Sequence, residues 1–159
     1  MTTAREAPIT VRTASDADRA AARAFIPPST PRGRASLTLL GAGLGLLWVA
    51  VEDAGPSEKL VGLLLATAQI APESEEPVGY IHELLVHPAY RRRGVAMHLL
   101  DAAERYFLRD HAFALVMLVT SPENDAALRL YRSRGYSVDS ARLSKRREEE
   151  APAPDTPAS

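Results

Sequence analysis

Cysteine is missing from all 159 residues, and aromatic side chains make up only 6% of them, with a single tryptophan. Disulfides, cysteine nucleophiles and zinc–thiolate sites are therefore excluded, and the lack of cysteine fits a reducing compartment such as the cytoplasm. An excess of either charge is missing too: 19 Lys and Arg stand against 20 Asp and Glu, a net charge of −1. That balance gives no electrostatic footing for nucleic acid, which calls for a clustered basic face. Long apolar runs are scarce. The longest, Leu37 to Val51, is interrupted by Gly41, Gly43 and Gly45 and falls short of a comfortable membrane span. Met1-Thr2-Thr3-Ala4-Arg5-Glu6-Ala7 lacks the apolar stretch after a basic start that marks a secretory signal. A soluble, cytoplasmic protein is expected, with neither membrane nor nucleic acid among its partners.

What the chain does contain is 46% apolar residues, enough for one core. A single domain is expected over residues 1–145, followed by a charged, then Ala- and Pro-rich tail, 146–159, too polar to fold. Ile9-Thr10-Val11-Arg12 alternates as a short strand does. Ser15 ahead of Asp16 and Asp18 reads as an N-cap with acidic residues in the first turn. The helix it opens is stopped by Pro27-Pro28. Residues 27–34, with three prolines, a glycine and two arginines, read as a loop. Ala35 to Gly45 stays undecided, because three glycines at alternate positions weaken a helix.

Strands are expected at Leu46–Glu52 and Leu60–Ile70, joined as a hairpin through the Gly55-Pro56 turn. An acidic, proline-flanked loop follows at 71–77, then a strand from Val78 to Val86 that His87-Pro88 ends. The next helix runs from Gly94 to about Arg109, with Ala96, Leu99, Leu100, Ala103 and Phe107 on one face. After a strand at Ala112–Thr120, Ser121-Pro122-Glu123 starts another helix and Gly135 ends it. Tyr136–Leu143 is a last strand candidate. Strand–helix–strand units joined to hairpins define the fold class: α/β, a mixed, mostly antiparallel central sheet flanked by helices.

Arg91-Arg92-Arg93-Gly94-Val95-Ala96 sits between a strand and a helix. The first turn of a helix leaves backbone N–H groups unpartnered and electropositive. Gly94 lets an anion approach the backbone, Ala96 keeps the next turn uncrowded, and the arginines add fork-shaped donors. Such an arrangement suits a diphosphate, and a solvated surface turn is its competing reading. Val95 and Ala96, where a lysine and a hydroxyl would stand, exclude a Walker loop. The absence of spaced glycines excludes the dinucleotide fingerprint.

The run Val86-His87-Pro88-Ala89-Tyr90-Arg91-Arg92-Arg93-Gly94-Val95-Ala96 resembles the coenzyme A-binding segment of the Gcn5-related N-acetyltransferase (GNAT) family. That segment reads Arg/Gln-x-x-Gly-x-Gly/Ala after a strand ending in Val-x-Pro, and Arg91, Gly94 and Ala96 occupy its fixed positions. Asn124…Ala127…Tyr131…Gly135-Tyr136 is similar to the family's second signature, Asn-x-x-Ala-x-x-x-Tyr-x-x-x-Gly-Phe/Tyr. The resemblance is strongest from Val78 to Val138 and weakest over residues 27–45. It implies the GNAT fold, with acetyl-CoA as co-substrate and an acetyl group moved to a primary amine of a small molecule or a protein. The co-substrate would be held by Leu84, Leu85, Val86, Arg91, Arg92, Arg93, Gly94, Val95, Ala96, Asn124, Ala127 and Tyr131.

The resemblance further implies that Tyr131 is the general acid and that Leu84–Val86 pair with the pantetheine arm like an added strand. A backbone N–H near Leu85 or Val86 would stabilise the oxyanion. A bulge there would part this strand from the one at 112–119, though bulges are not visible in sequence. A phenol of pKa ~10 stays protonated at neutral pH and is able to donate to a leaving thiolate. The family often places a carboxylate base on the strand before the loop. Glu83 is the choice, with His82 and Tyr80 as rivals. As strand neighbours, His82 and Glu83 are expected on opposite faces.

No metal is called for. Pro27–Gly45 and Ala71–Pro77 are expected to shape the acceptor pocket, with Glu73, Glu75 and Glu76 as a weak reader of basic acceptors. A non-catalytic acyl-CoA sensor is the alternative function. The acceptor amine and the oligomeric state, a homodimer included, are left open.

Overall fold

The computed structural model describes residues 7–53, 57–70 and 75–139. The Gly55-Pro56 turn, Glu73, most of the 71–77 loop, the second half of the last strand candidate and the tail lie outside the described residues. Contacts divide the chain into two compact units, Met1–Asn124 and Asp125–Ser159.

The first unit is built on a five-stranded sheet: β1 (Ile9–Thr13), β2 (Leu46–Asp53), β3 (Glu58–Ile70), β4 (Pro77–Val86) and β5 (Leu115–Leu118). Neighbours in the sheet follow chain order. β1 to β4 pair antiparallel, whereas β4 and β5 are parallel. The sheet is thus mixed and mostly antiparallel, as expected. A parallel pair needs a crossover, and α3 (Val95–Glu104), extended by a π-helical run over Arg105–Asp110, supplies it.

Helices cover both faces. On one side α1 (Asp16–Phe25) and α2 (Pro31–Gly41) bury Ala22, Ile26 and Leu40 against Leu47, Val49, Val51, Leu63 and Leu65. On the other, α3 and its extension bring Leu99, Leu100, Ala103 and Phe107 to complete burial. Trp48 meets Tyr106 and Phe107 edge to face. Covered on both faces, β2 and β3 read as apolar runs rather than alternating ones. Full burial of each Leu or Phe stabilises the fold by ~1.5–3 kcal/mol.

Two local expectations are corrected. Residues 27–34 are only partly loop, because α2 begins at Pro31: the Thr30 hydroxyl accepts from Gly33 N–H at 2.9 Å, and Pro31 occupies the first helical turn. The glycines at 41–45 do not forbid this helix; they finish it. Gly43 has φ +70°, and the Gly43→Leu40 and Leu44→Leu39 N–H···O=C bonds close a left-handed terminus. The second correction concerns α4 (Asp125–Ser133), which starts later than Ser121-Pro122-Glu123 suggested. There the Ser121 hydroxyl bonds the Glu123 carboxylate and accepts from the Glu123 N–H, and Asn124 N–H reaches the Ser121 carbonyl, so these residues form a turn.

In the second unit, α4 ends as expected. Gly135 has φ +88°, and Tyr136 N–H bonds the Tyr131 carbonyl. Of the strand candidate Tyr136–Leu143, the described residues 136–139 form no strand.

Candidate functional site

The parting of β4 from β5 begins with a counting mismatch. Leu65 of β3 stands opposite Glu83, and its neighbour Ala66 opposite Ile81, so His82 has no partner: β4 bulges at that residue. Upstream, Val78–Ile81 pair with Leu115–Leu118; downstream, no described strand pairs with the β5-facing edge of β4. Leu84, Leu85 and Val86 stay bonded to β3 opposite Leu64, Leu63 and Gly62. Their other edge has no strand partner among the described residues. The bulge lies two residues before the segment where the resemblance put it, and β5 is shorter than residues 112–120.

The bulge also overturns the expectation that His82 and Glu83 face opposite ways. Leu65 and Thr67 share a face of β3, two residues apart. Glu83 stands opposite Leu65, and His82 Nε2 lies 2.7 Å from Thr67 Oγ1. One extra residue resets the alternation, so both side chains lie on the side covered by α1 and α2. Tyr80 joins them, its ring 4.7 Å from that of His82. The three candidate bases are brought together.

α2 completes the cluster. Ser36 and Glu83 are the buried polar side chains of the described residues, and Ser36 Oγ donates to Glu83 Oε1 at 2.9 Å. Burial raises the Glu83 pKa, opposed by the Ser36 hydrogen bond and by the positive field of Arg32. Burial, aided by the same Arg32 field, lowers the pKa of His82. Arg32 itself donates from Nη2 to the Val119 carbonyl at 2.7 Å. Val119 follows Leu118, the partner of Ile81. α2 therefore holds β4 through Ser36 and the end of β5 through Arg32, at the fork between them. Sequence reasoning passed over both residues, because their i, i+4 relation has meaning only once the helix is known.

Beyond the fork, β4 leads into the arginine loop. A single 3₁₀ turn, Pro88–Tyr90, is followed by Arg92 at φ +60° and Gly94 at φ +76°. A left-handed arginine costs ~1–2 kcal/mol, so this loop holds strain beside the helix start. Gly94 is the N-cap of α3 and supplies no side-chain hydrogen bond, and the nearest atoms to a Cβ placed there, on His98, are 3.8 Å away. The first amides of α3, those of Val95 and Ala96 included, carry no side-chain cap.

The three arginines are not alike. Arg91 and Arg92 are exposed, while Arg93 stacks on the Tyr90 ring at 5.0 Å, with Lys59 at 5.3 Å from the same ring. Tyr90 is buried and donates to Glu52 Oε2 at 2.5 Å, pinning the loop to β2. It was missed in the sequence; an aromatic among loop arginines was the available signal. His87 is half-buried and receives Ala89 N–H on Nδ1 at 3.2 Å.

Asn124 closes the first unit, exposed and in the turn before α4. In the second unit Ala127, Leu128, Leu130 and Tyr131 form the half-buried stripe of α4, and the Tyr131 ring lies 5.6 Å from that of Tyr136. Among the described residues no cluster of His, Asp or Glu has metal-ligand spacing, and no helix is long and apolar enough to cross a membrane.

Comparison with known proteins identifies the family and the fold. The Acetyltransferase (GNAT) family matches residues 16–136. The N-alpha-acetyltransferase daf-31 of Caenorhabditis elegans is 34% identical over 88 residues, 55% of this chain and 46% of that protein. The match thus spans about half the length of that relative. Among solved structures, the aminoglycoside N-acetyltransferase AAC(6')-Iy in complex with CoA is 20% identical, with a TM-score of 0.73 over 92% of this chain and 99% of that one. NAA60 of Arabidopsis thaliana, in complex with a bisubstrate analogue, is 24% identical, with a TM-score of 0.66 over 82% and 84%. At these identities the two structures establish a shared fold.

Proposed function

The chain belongs to the acetyltransferase (GNAT) family, and on that premise we propose that it is an enzyme moving the acetyl group of acetyl-CoA to a primary amine by direct attack on the thioester. The observation that carries this reading is the fork. The β5-facing edge of Leu84–Val86, without a strand partner among the described residues, lies between an uncapped helix start and a buried carboxylate, and we take it as the slot for the thioester. The amides of α3 and the exposed Arg91 and Arg92 receive the diphosphate. The open edge of Leu84–Val86 receives the pantetheine arm as a strand would.

Glu83 is the base, directly or through a water. A carboxylate whose proton affinity is raised by burial is better matched to accepting a proton from an amine near neutral pH. The amine lone pair forms the C–N bond, and the carbonyl oxygen takes up charge facing a backbone N–H near Leu85 or Val86. The C–S bond then breaks, the amine proton passes to Glu83, and the thiolate takes a proton from Tyr131, the role its motif implies. Ser36 keeps Glu83 oriented. A cytoplasmic setting remains our expectation from the cysteine-free composition.

Calorimetry with acetyl-CoA, paired with thiol release across an amine panel, tests the assignment. Saturable binding with release on adding an amine supports it. Binding without release for any amine makes the chain an acyl-CoA sensor, and an equal preference for ATP removes the coenzyme reading altogether.

A further inference from the structure

The acceptor is so far only an amine, and Arg32 narrows it. Arg32 and Ser36 lie four residues apart on α2, hence on one helix face. Ser36 is bonded to the β4 branch of the fork, through Glu83, and Arg32 to the β5 branch, through the Val119 carbonyl. The guanidinium is thereby anchored where the strands part, the point a nucleophile must reach to attack an acyl group lying in the slot.

Anchoring uses one nitrogen. A guanidinium has five N–H donors in a planar fork, and no other hydrogen-bond or salt-bridge partner of Arg32 is present among the described residues. Arg32 is exposed, and its field is felt by both His82 and Glu83. α2 carries Arg32 and Arg34 and no acidic residue, while Asp18 of α1 is committed to Arg12 at 2.6 Å. A polycationic acceptor would meet a cation with no ion-pair partner among the described residues. An acceptor bearing an anion near its amine would find a fixed, solvent-facing partner of matching shape.

We propose that Arg32 is a specificity-determining residue that pairs with a carboxylate carried by the acceptor close to its reacting amine. The inference rests on the acetyl-transfer reading above. Two sources offer that chemistry: a small amino acid with a second carboxylate, or an acidic side chain near the N-terminus of a peptide.

The test uses the full chain, acetyl-CoA and thiol release with four acceptors: glutamate, a peptide acidic at its second and third residues, the same peptide with lysines there, and a polyamine. An acidic acceptor is expected to exceed its cationic counterpart by ~10-fold or more in kcat/KM, and the small-molecule and peptide arms identify the source. Arg32→Ala should erase that gap by raising KM for the acidic acceptor alone, while acetyl-CoA affinity holds. The acid limb of kcat should move to higher pH equally for every acceptor, because the Arg32 field on Glu83 is lost. Arg32→Lys should restore part of it, and Arg32→Glu should invert the order.

Equal use of acidic and cationic acceptors by the wild type overturns the proposal. So does a uniform loss with every acceptor in Arg32→Ala at pH above the acid limb, the signature of a clasp that only holds α2 to β5. Absence of thiol release with these four acceptors and with the whole amine panel, acetyl-CoA still binding, would instead remove the transferase reading beneath it. Thermal melts of the variants, expected to match the wild type because Arg32 is exposed, guard against misfolding.

Discussion

The starts of α1 and α2 differ from the start of α3 in who satisfies the first backbone amides. At α1, Ser15 accepts from the Asp18 N–H while the Asp18 carboxylate takes the Ser15 N–H, a reciprocal box. At α2, Thr30 accepts from Gly33 and Pro31 stands at the first turn. At α3 the cap is Gly94, with no side chain to offer and a left-handed backbone beside a strained Arg92. Helix ends that only need to be stable are closed by the protein's own oxygens. The end without a side-chain cap gives up that stabilisation, ~1 kcal/mol for a typical cap, and in our proposal it receives the diphosphate's oxygens instead.

The sharpest way to break the contrast is to fill the open end with negative charge. Gly94→Glu adds left-handed strain and repels the diphosphate; acetyl-CoA affinity measured by calorimetry should fall by ~100-fold or more. Wild-type affinity in that variant would show that the uncapped amides are not the site. Next comes Glu83→Gln, which should lower turnover by ~10²-fold with acetyl-CoA affinity intact. It should also abolish the rise of kcat with pH on the acid side, since the base must be ionised. If the acid limb survives, His82 or Tyr80 is the base.

The same raised pKa has a stability consequence. Ionising Glu83 in its buried place is unfavourable, so wild-type stability should decline as pH climbs from the ordinary carboxylate range through the raised value. Denaturant melts of Glu83→Gln should be flatter over that window.

Ser36→Ala is a subtler change, on a helix whose start is closed but whose body serves the fork. Losing the Ser36 bond removes a group that favours ionised Glu83, so the acid limb of the rate profile should move to higher pH. A destabilisation of ~1–3 kcal/mol from an unsatisfied buried carboxylate should accompany it. An unmoved limb would mean Ser36 is a packing residue only. The smallest expected effect is Ser15→Ala, which should cost ~1 kcal/mol in melts and leave acetyl-CoA binding and turnover alone. A change in coenzyme affinity there would erase the distinction between closed and open ends.

Much of the fold was legible because its signals are local. Ser15, Asp16 and Asp18 announce α1; Gly135 ends α4; and the unbroken apolar runs of β2 and β3 mark strands covered on both faces. α2 was half hidden, since Pro27, Pro28 and Pro31 look alike on paper while only Pro31, after the Thr30 cap, begins a helix. In the site, the arginine loop was readable from its residues. The bulge was not, because it exists only as a difference between two strands' residue counts.

The sequence by itself determined the parts that depend on a few adjacent residues: the caps, the glycine-ended helices, and the Arg91–Ala96 loop before an amphipathic helix. Backbone geometry over one turn is set by the residues in that turn. Only the tertiary structure decided that His82 and Glu83 share a face, that Ser36 meets Glu83 across 47 positions, and that Arg32 reaches Val119 across 87. Those contacts follow from pairing register and helix placement, which no short segment encodes alone.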